Sequence, residues 1–244
     1  MIIDSYENKK KILADFLQSC IFDGFSDETL KNSAKKVLGK ETLIELVFEN
    51  GCLDLIDFYI DEKNKETSKE IKKIEGFANF KIRDKIRTAL YLRFESEIES
   101  KDQLQQLFTF YANPKNLCKA GKGIKPATRI LKDFFKVADF IWYEIGDTST
   151  DFNFYTKRVT LAKIIFRCLT IFIKDDKKLS ETKNMIDLEI EKVMIFEKYK
   201  AKYKAKFEAK FEGLVKNSFI NENGLVKSPK EIIGDLPFFR LRKK

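Results

Sequence analysis

Apolar residues recur at three- and four-residue intervals along most of the chain, the spacing of one face of an α-helix. Ile12, Leu13, Phe16, Leu17 and Cys20 predict a helix over 8–20, ended by Asp23-Gly24. Ser26-Asp27-Glu28-Thr29 has the composition of a helix start with Ser26 as N-cap, and Gly39 closes the short helix that follows. Thr42–Phe48 predicts a third short helix, stopped by Asn50-Gly51, and Cys52–Tyr59 opens a longer one. Three short helices before a long one is the layout of a helix-turn-helix module.

The same periodicity continues. Ile82, Ile86, Leu90 and Phe94 predict a helix over 79–100, and Leu104, Leu107, Phe108 and Tyr111 carry the pattern to Asn113-Pro114. A looser Gly/Lys patch, Lys119–Lys125, interrupts it. Ile130, Phe134, Ala138, Ile141 and Ile145 line the next helix, which Gly146 ends. Phe152–Phe172 is apolar on two sides, as in a central helix or one at a subunit interface. The last long helix is expected from Ser180 to Glu212. No segment alternates with the period of a strand, so the fold class is all-α.

Composition narrows the chemistry. The 244 residues contain no histidine, which excludes His-based nucleophile systems, His-ligated metals and a His general base. With only 10 Gly, the chain has neither GxGxxG nor GxxxxGK[ST]. Cys20, Cys52, Cys118 and Cys168 form no CxxC pair, and they are expected to be free thiols packed as small hydrophobes. Neither a metal nor a cofactor is expected. No apolar run reaches the ~18 residues of a transmembrane helix.

The net charge of +9 is unevenly placed. Lys198–Lys244 holds 13 basic and 5 acidic residues, whereas residues 1–197 hold 34 and 33. Within the basic part, a tetrad repeat places Tyr199, Tyr203, Phe207 and Phe211 on one stripe of a helix, about 120° wide, with Lys198, Lys202, Lys206 and Lys210 at its shoulders. Such a strip suits an anionic lipid surface. An amphipathic helix packed on its own domain is the plainer alternative. The third short helix, Lys40–Glu49, has three acids and one lysine, which suits packing better than a major groove, so nucleic acid is not expected as a partner.

The stretch Asp139–Arg158 reads as a helix end at Gly146, a cap-rich turn and a new helix. Trp142, Phe154 and Tyr155 beside Asp139, Asp151 and Arg158 also have the composition of a protein-contact hot spot. Capping and packing account for the same residues.

This stretch resembles the signature of the ubiquinone-biosynthesis accessory proteins that form the ninth of the COQ series. The pattern is roughly D-x-x-W-Y-x-x-G-D-x-S-T-D-x-N-W-Y-T-K/R-R. It is matched by Asp139, Trp142, Tyr143, Gly146, Asp147, Ser149, Thr150, Asp151, Asn153, Tyr155, Thr156, Lys157 and Arg158. Phe154 stands where the family usually has Trp. Phe22–Leu30 and Phe48–Gly51 are also similar to that family.

The resemblance implies a TetR-like helical bundle that has lost DNA binding, dimerises and binds isoprenoid lipid in an apolar pocket. It implies help in delivering quinone intermediates to the demethoxyubiquinone hydroxylase, with an amphipathic C-terminal helix on the membrane. The domains expected are a helix-turn-helix-like module over 1–62, a lipid-binding and dimerisation domain over 63–197, and a membrane-associating helix and tail over 198–244. Candidate pocket residues are Leu107, Phe108, Tyr111, Phe134, Phe135, Ile141 and Phe166. Asp139, Trp142, Asp151, Phe154, Tyr155 and Arg158 are the candidates for docking the hydroxylase.

The expected function is that of a non-enzymatic lipid-binding accessory protein. The alternative is a TetR-like transcription regulator with a hydrophobic effector. A composition rich in Lys, Ile, Phe and Asn fits an AT-rich genome, and residues 1–15 lack an Arg-rich, acid-poor leader. Together these predict a bacterial protein, cytoplasmic and peripheral on the inner membrane.

Overall fold

A computed structural model of the chain describes residues 5–113, 116, 126–150 and 152–202. The expected all-α class is borne out, with eight α-helices among these residues. They are α1 (Tyr6–Asp23), α2 (Asp27–Leu38), α3 (Cys52–Lys72), α4 (Ile82–Glu95), α5 (Lys101–Ala112), α6 (Pro126–Glu144), α7 (Phe152–Phe172) and α8 (Ser180–Lys202). The chain divides into two compact units, Met1–Ile186 and Asp187–Lys244, each taken by itself. The described part of the second unit is the continuation of α8.

Local chemistry sets the helix starts in the first unit. Ser5 Oγ accepts from the Asn8 amide at 3.2 Å, and Ser26 Oγ accepts from the Thr29 amide at 3.1 Å, so α1 and α2 are both side-chain capped. Asp27 Oδ1 accepts from the amide of Cys52 at 2.9 Å, tying the start of α3 back to α2. Ile12, Phe16 and Cys20 of α1 and Leu30 and Ala34 of α2 are buried together with Leu55 and Ile56 of α3. A fully buried side chain of this size contributes about 1.5–3 kcal/mol. Cys20, Cys52 and Cys168 are buried and form no disulfide, in agreement with the expectation, while Cys118 lies outside the described residues. Burial pushes the Cys20 thiol up to about 11.

Two elements differ from the periodicity reading. The third short helix is a 3-10 helix, Glu41–Leu46, without a side-chain cap. Six residues before the Asn50-Gly51 stop are too few to repay α-helix nucleation. The segment read as one helix over 79–100 is α4, preceded by a 3-10 turn at Phe77–Asn79 and an extended Phe80 and followed by a 3-10 turn at Ile98–Ser100. Gly76, with φ 70°, turns the chain there.

α3, α4, α5, α6 and α7 pack around one another, with α6 against α7 as the most extensive pairing. α7 buries Leu161, Ala162, Ile165, Cys168 and Phe172, while Phe166 on its other side stays part-exposed. No helix among the described residues is long and apolar enough to cross a membrane.

Candidate functional site

The α6–α7 turn is built around one carboxylate. Gly146 takes a left-handed conformation, φ 86°, which a residue with a side chain rarely adopts. Its amide donates to the Tyr143 carbonyl at 3.0 Å, and the Asp147 amide donates to the Trp142 carbonyl at 2.9 Å. This is the pairing of a Schellman helix end. It folds Asp147 back against the first turns of α7.

There the Asp147 carboxylate accepts from Lys157 Nζ at 2.6 Å, Ser149 Oγ at 2.7 Å and Arg158 Nη1 at 3.0 Å. Burial alone would raise its pKa. The hydrogen bonds from Lys157, Ser149 and Arg158 outweigh burial and hold the carboxyl down at about 2. Arg158 is 3% exposed, also pairs with Asp139, and lies 3.4 Å over the Phe154 ring. Lys157 stands 5.1 Å over the Trp142 ring. Most of the signature therefore serves the turn itself. Gly146 turns the chain, Asp147 gathers the cations, and the cations cover the aromatics.

The candidate docking residues separate on this geometry. Trp142, 9% exposed, and Arg158 lie inside. Asp139 is half-exposed, Phe154 and Tyr155 are stacked edge to face at 5.1 Å, and Asp151 lies outside the described residues. Tyr143, which was not among the candidates, is 72% exposed. The W-Y pair puts adjacent residues about 100° apart on the helix, so one ring faces in and the other out.

Tyr143 opens onto a groove of 980 Å³ bounded by α3, α6, the α6–α7 turn and the start of α7. Lys136, Asp139, Phe140, Tyr143 and Glu144 line it from α6, and Phe58, Asp61, Asn64, Lys65, Ser68, Lys69 and Lys72 from α3. The two helices are pinned below it. Arg129 donates to the Leu53 carbonyl at 3.0 Å and pairs with Asp57 and Asp133, each at 3.0 Å. The Tyr111 hydroxyl donates to Asp133. Burial, reinforced by the Asp133 carboxylate, holds that hydroxyl well above its ordinary pKa, so it stays a donor. Lys136 bridges to Asp61 at 2.8 Å. The spacing of Asn64, Lys65, Ser68, Lys69 and Lys72 would have marked one polar face of α3. Which helix it confronts was not legible.

None of the candidate pocket residues lines the groove. Leu107 borders a void of 10 Å³ with Leu13, Phe16 and Tyr59, room for about one water. Neither that void nor the groove is lined by Phe108, Tyr111, Phe134, Phe135, Ile141 or Phe166. Phe134 and Phe166 meet edge to face at 5.5 Å, and Ile141 is fully buried. In the aromatic strip, Lys198, Tyr199 and Lys202 belong to α8, while Tyr203, Lys206, Phe207, Lys210 and Phe211 lie outside the described residues. Among the described residues, no three or more Cys, Asp or Glu side chains group to hold a metal.

The COQ9 family model matches residues 127–197, which contain the whole α6–α7 turn. Over 208 residues the chain is 24% identical to the probable ubiquinone biosynthesis protein coq9, mitochondrial, of Dictyostelium discoideum. That covers 80% of this chain and 62% of the relative. Over 182 residues it is 23% identical to the ubiquinone biosynthesis protein COQ9, mitochondrial, of Xenopus tropicalis, covering 70% of this chain and 54% of the relative. The chain thus spans less than two-thirds of the length of these relatives.

Both are mitochondrial proteins of eukaryotes, which overturns the expected location, cytoplasmic on a bacterial inner membrane. For a chain that spans part of its relatives, the makeup of residues 1–15 does not decide a compartment. The signature over Asp139–Arg158, the matched family model and the two relatives together show that this chain is similar to the COQ9 ubiquinone-biosynthesis proteins.

Proposed function

We propose that the chain acts in ubiquinone biosynthesis as a non-catalytic accessory protein. It binds an isoprenoid quinone intermediate, associates with an anionic membrane surface as a homodimer, and presents the intermediate to the demethoxyubiquinone hydroxylase. The observation that carries this reading is the α6–α7 turn. Its signature lies within the matched segment, and its paired charges hold a half-exposed Asp139 and an open Tyr143 on a rigid base. A preorganised aromatic beside a carboxylate is the makeup of a docking hot spot.

In this reading Asp139, Phe154 and Tyr155 contact the hydroxylase, and Trp142 and Arg158 hold them in place. The lipid is accepted by parting α5 from α6 and α7, which would open space among Leu107, Phe108, Tyr111, Phe134, Phe135, Ile141 and Phe166. Exposing a polyprenyl chain to apolar walls lowers the cost of lifting it from a bilayer. The strip from Lys198 to Phe211 holds the protein at the surface.

Pull-down with the hydroxylase tests the docking role. Tyr143→Ala should weaken capture about tenfold while leaving thermal stability within error. Unchanged capture would remove the turn from the docking surface.

A further inference from the structure

The α3–α4 corner is the one place among the described residues of the first unit where apolar side chains and unpaired cations are exposed together over consecutive positions. Ile82 is 63% and Phe80 39% exposed, and Phe77 stacks on Phe80 with ring centroids 5.7 Å apart. Residues 78–83 are all exposed. Leaving Ile and Phe in water costs free energy that a chain of this size has ample interior to avoid.

Charge is concentrated at the same corner. Lys69–Arg87 holds seven basic and three acidic residues, against 27 basic and 30 acidic elsewhere in residues 1–197. Each acid with an ion pair here is taken up locally: Glu70 by Lys73 at 2.6 Å, and Asp84 by Arg87 at 2.5 Å and Arg83 at 3.6 Å. The Lys69, Lys72 and Lys81 side chains make no ion pair among the described residues. Lys85 Nζ stands 6.0 Å over the Phe77 ring, so a cation flanks the apolar tip.

We propose that this corner seats on the anionic surface of a phospholipid bilayer, with Phe80 and Ile82 entering the headgroup layer and Lys72, Lys81, Arg83 and Lys85 meeting lipid phosphates. An apolar wedge inside a basic collar has complementarity to that surface in both terms, burial and charge. Because Lys69 and Lys72 also line the groove, seating the corner brings that end of the groove to the headgroup layer. The inference rests on the corner alone. It stands or falls separately from the aromatic strip beyond α8.

Flotation of the full chain with mixed phosphatidylcholine–phosphatidylglycerol vesicles tests it. Phe80→Ser with Ile82→Ser should lower partitioning about tenfold. Lys72→Gln, Lys81→Gln and Arg83→Gln together should lower it about a hundredfold at low salt and far less at high salt. Phe22→Ser, at a still more open aromatic of α1, should change nothing. Phe80→Trp should give fluorescence quenched by vesicles brominated in their acyl chains, over a constant background from buried Trp142.

The proposal is overturned by unchanged partitioning of the corner variants, by an equal loss in Phe22→Ser, or by absence of quenching. It is also overturned if light scattering shows that the corner variants change the oligomeric state instead, which would make the corner a contact between copies. Loss of flotation on Tyr203→Ser, Phe207→Ser and Phe211→Ser with the corner variants unaffected would leave the strip as the membrane contact and end the proposal for the corner.

Discussion

The α6–α7 turn and the α3–α4 corner use the same residue types and put them to opposite ends. In the turn, Lys157 and Arg158 face inward onto Asp147, and their charge covers Trp142 and Phe154. At the corner, Lys72 and Lys81 face outward and Phe80 and Ile82 beside them stay open. The difference lies in where the carboxylates fall. Asp147 sits where a left-handed glycine returns the chain to its own helix, whereas Asp84 answers two arginines of its own turn and leaves the lysines free. Aromatic and basic composition thus has no fixed meaning until the pairing is known.

The contrast can be broken most strongly at Arg158. Arg158→Ala leaves the buried Asp147 with one cation fewer and Asp139 with none from α7, and should cost about 3–5 kcal/mol in urea unfolding. A cost near zero would mean the turn is not held by its charges.

Acid titration gives the next largest effect. The Asp147 carboxyl is depressed in the folded chain from an ordinary 3.8 to about 2. Its contribution is therefore full above 3.8 and is lost as the pH falls through about 2. It amounts to about 2 kcal/mol. Asp147→Asn should flatten the acid limb of stability in that window and leave the slope above about pH 5 unchanged. An unaltered acid limb would assign it to other carboxylates.

The smallest effect belongs to the corner. Phe80→Ser with Ile82→Ser should change unfolding stability by no more than about 0.5 kcal/mol, since neither side chain is packed inside. A loss of several kcal/mol would show that the corner is a structural contact.

Much of the fold was legible because helical spacing is a local signal. α1, α2 and α7 begin and end close to where Ser26, Gly39 and the 3–4 pattern place them. The corner was hidden by the same signal: Ile82 and Ile86 extend the apolar period of α4 backward, and nothing local says that Ile82 finds no partner. The signature marked the α6–α7 turn, yet not which of its rings is open. Trp142 and Tyr143 differ in direction by one helical step, and only the packing of α6 on α7 decides between them. The α3 wall of the groove depends on Arg129 reaching Leu53 and Asp57, contacts more than seventy residues apart in sequence that periodicity does not carry.

The central claim is that the chain carries a lipid of the ubiquinone pathway. Solvent extraction of the purified full-length protein, followed by mass spectrometry of what it releases, tests that directly. The carrier reading predicts an isoprenoid quinone precursor at a substantial fraction of the protein's molar amount. A protein that releases no isoprenoid lipid, with and without prior exposure to membranes containing one, would contradict it.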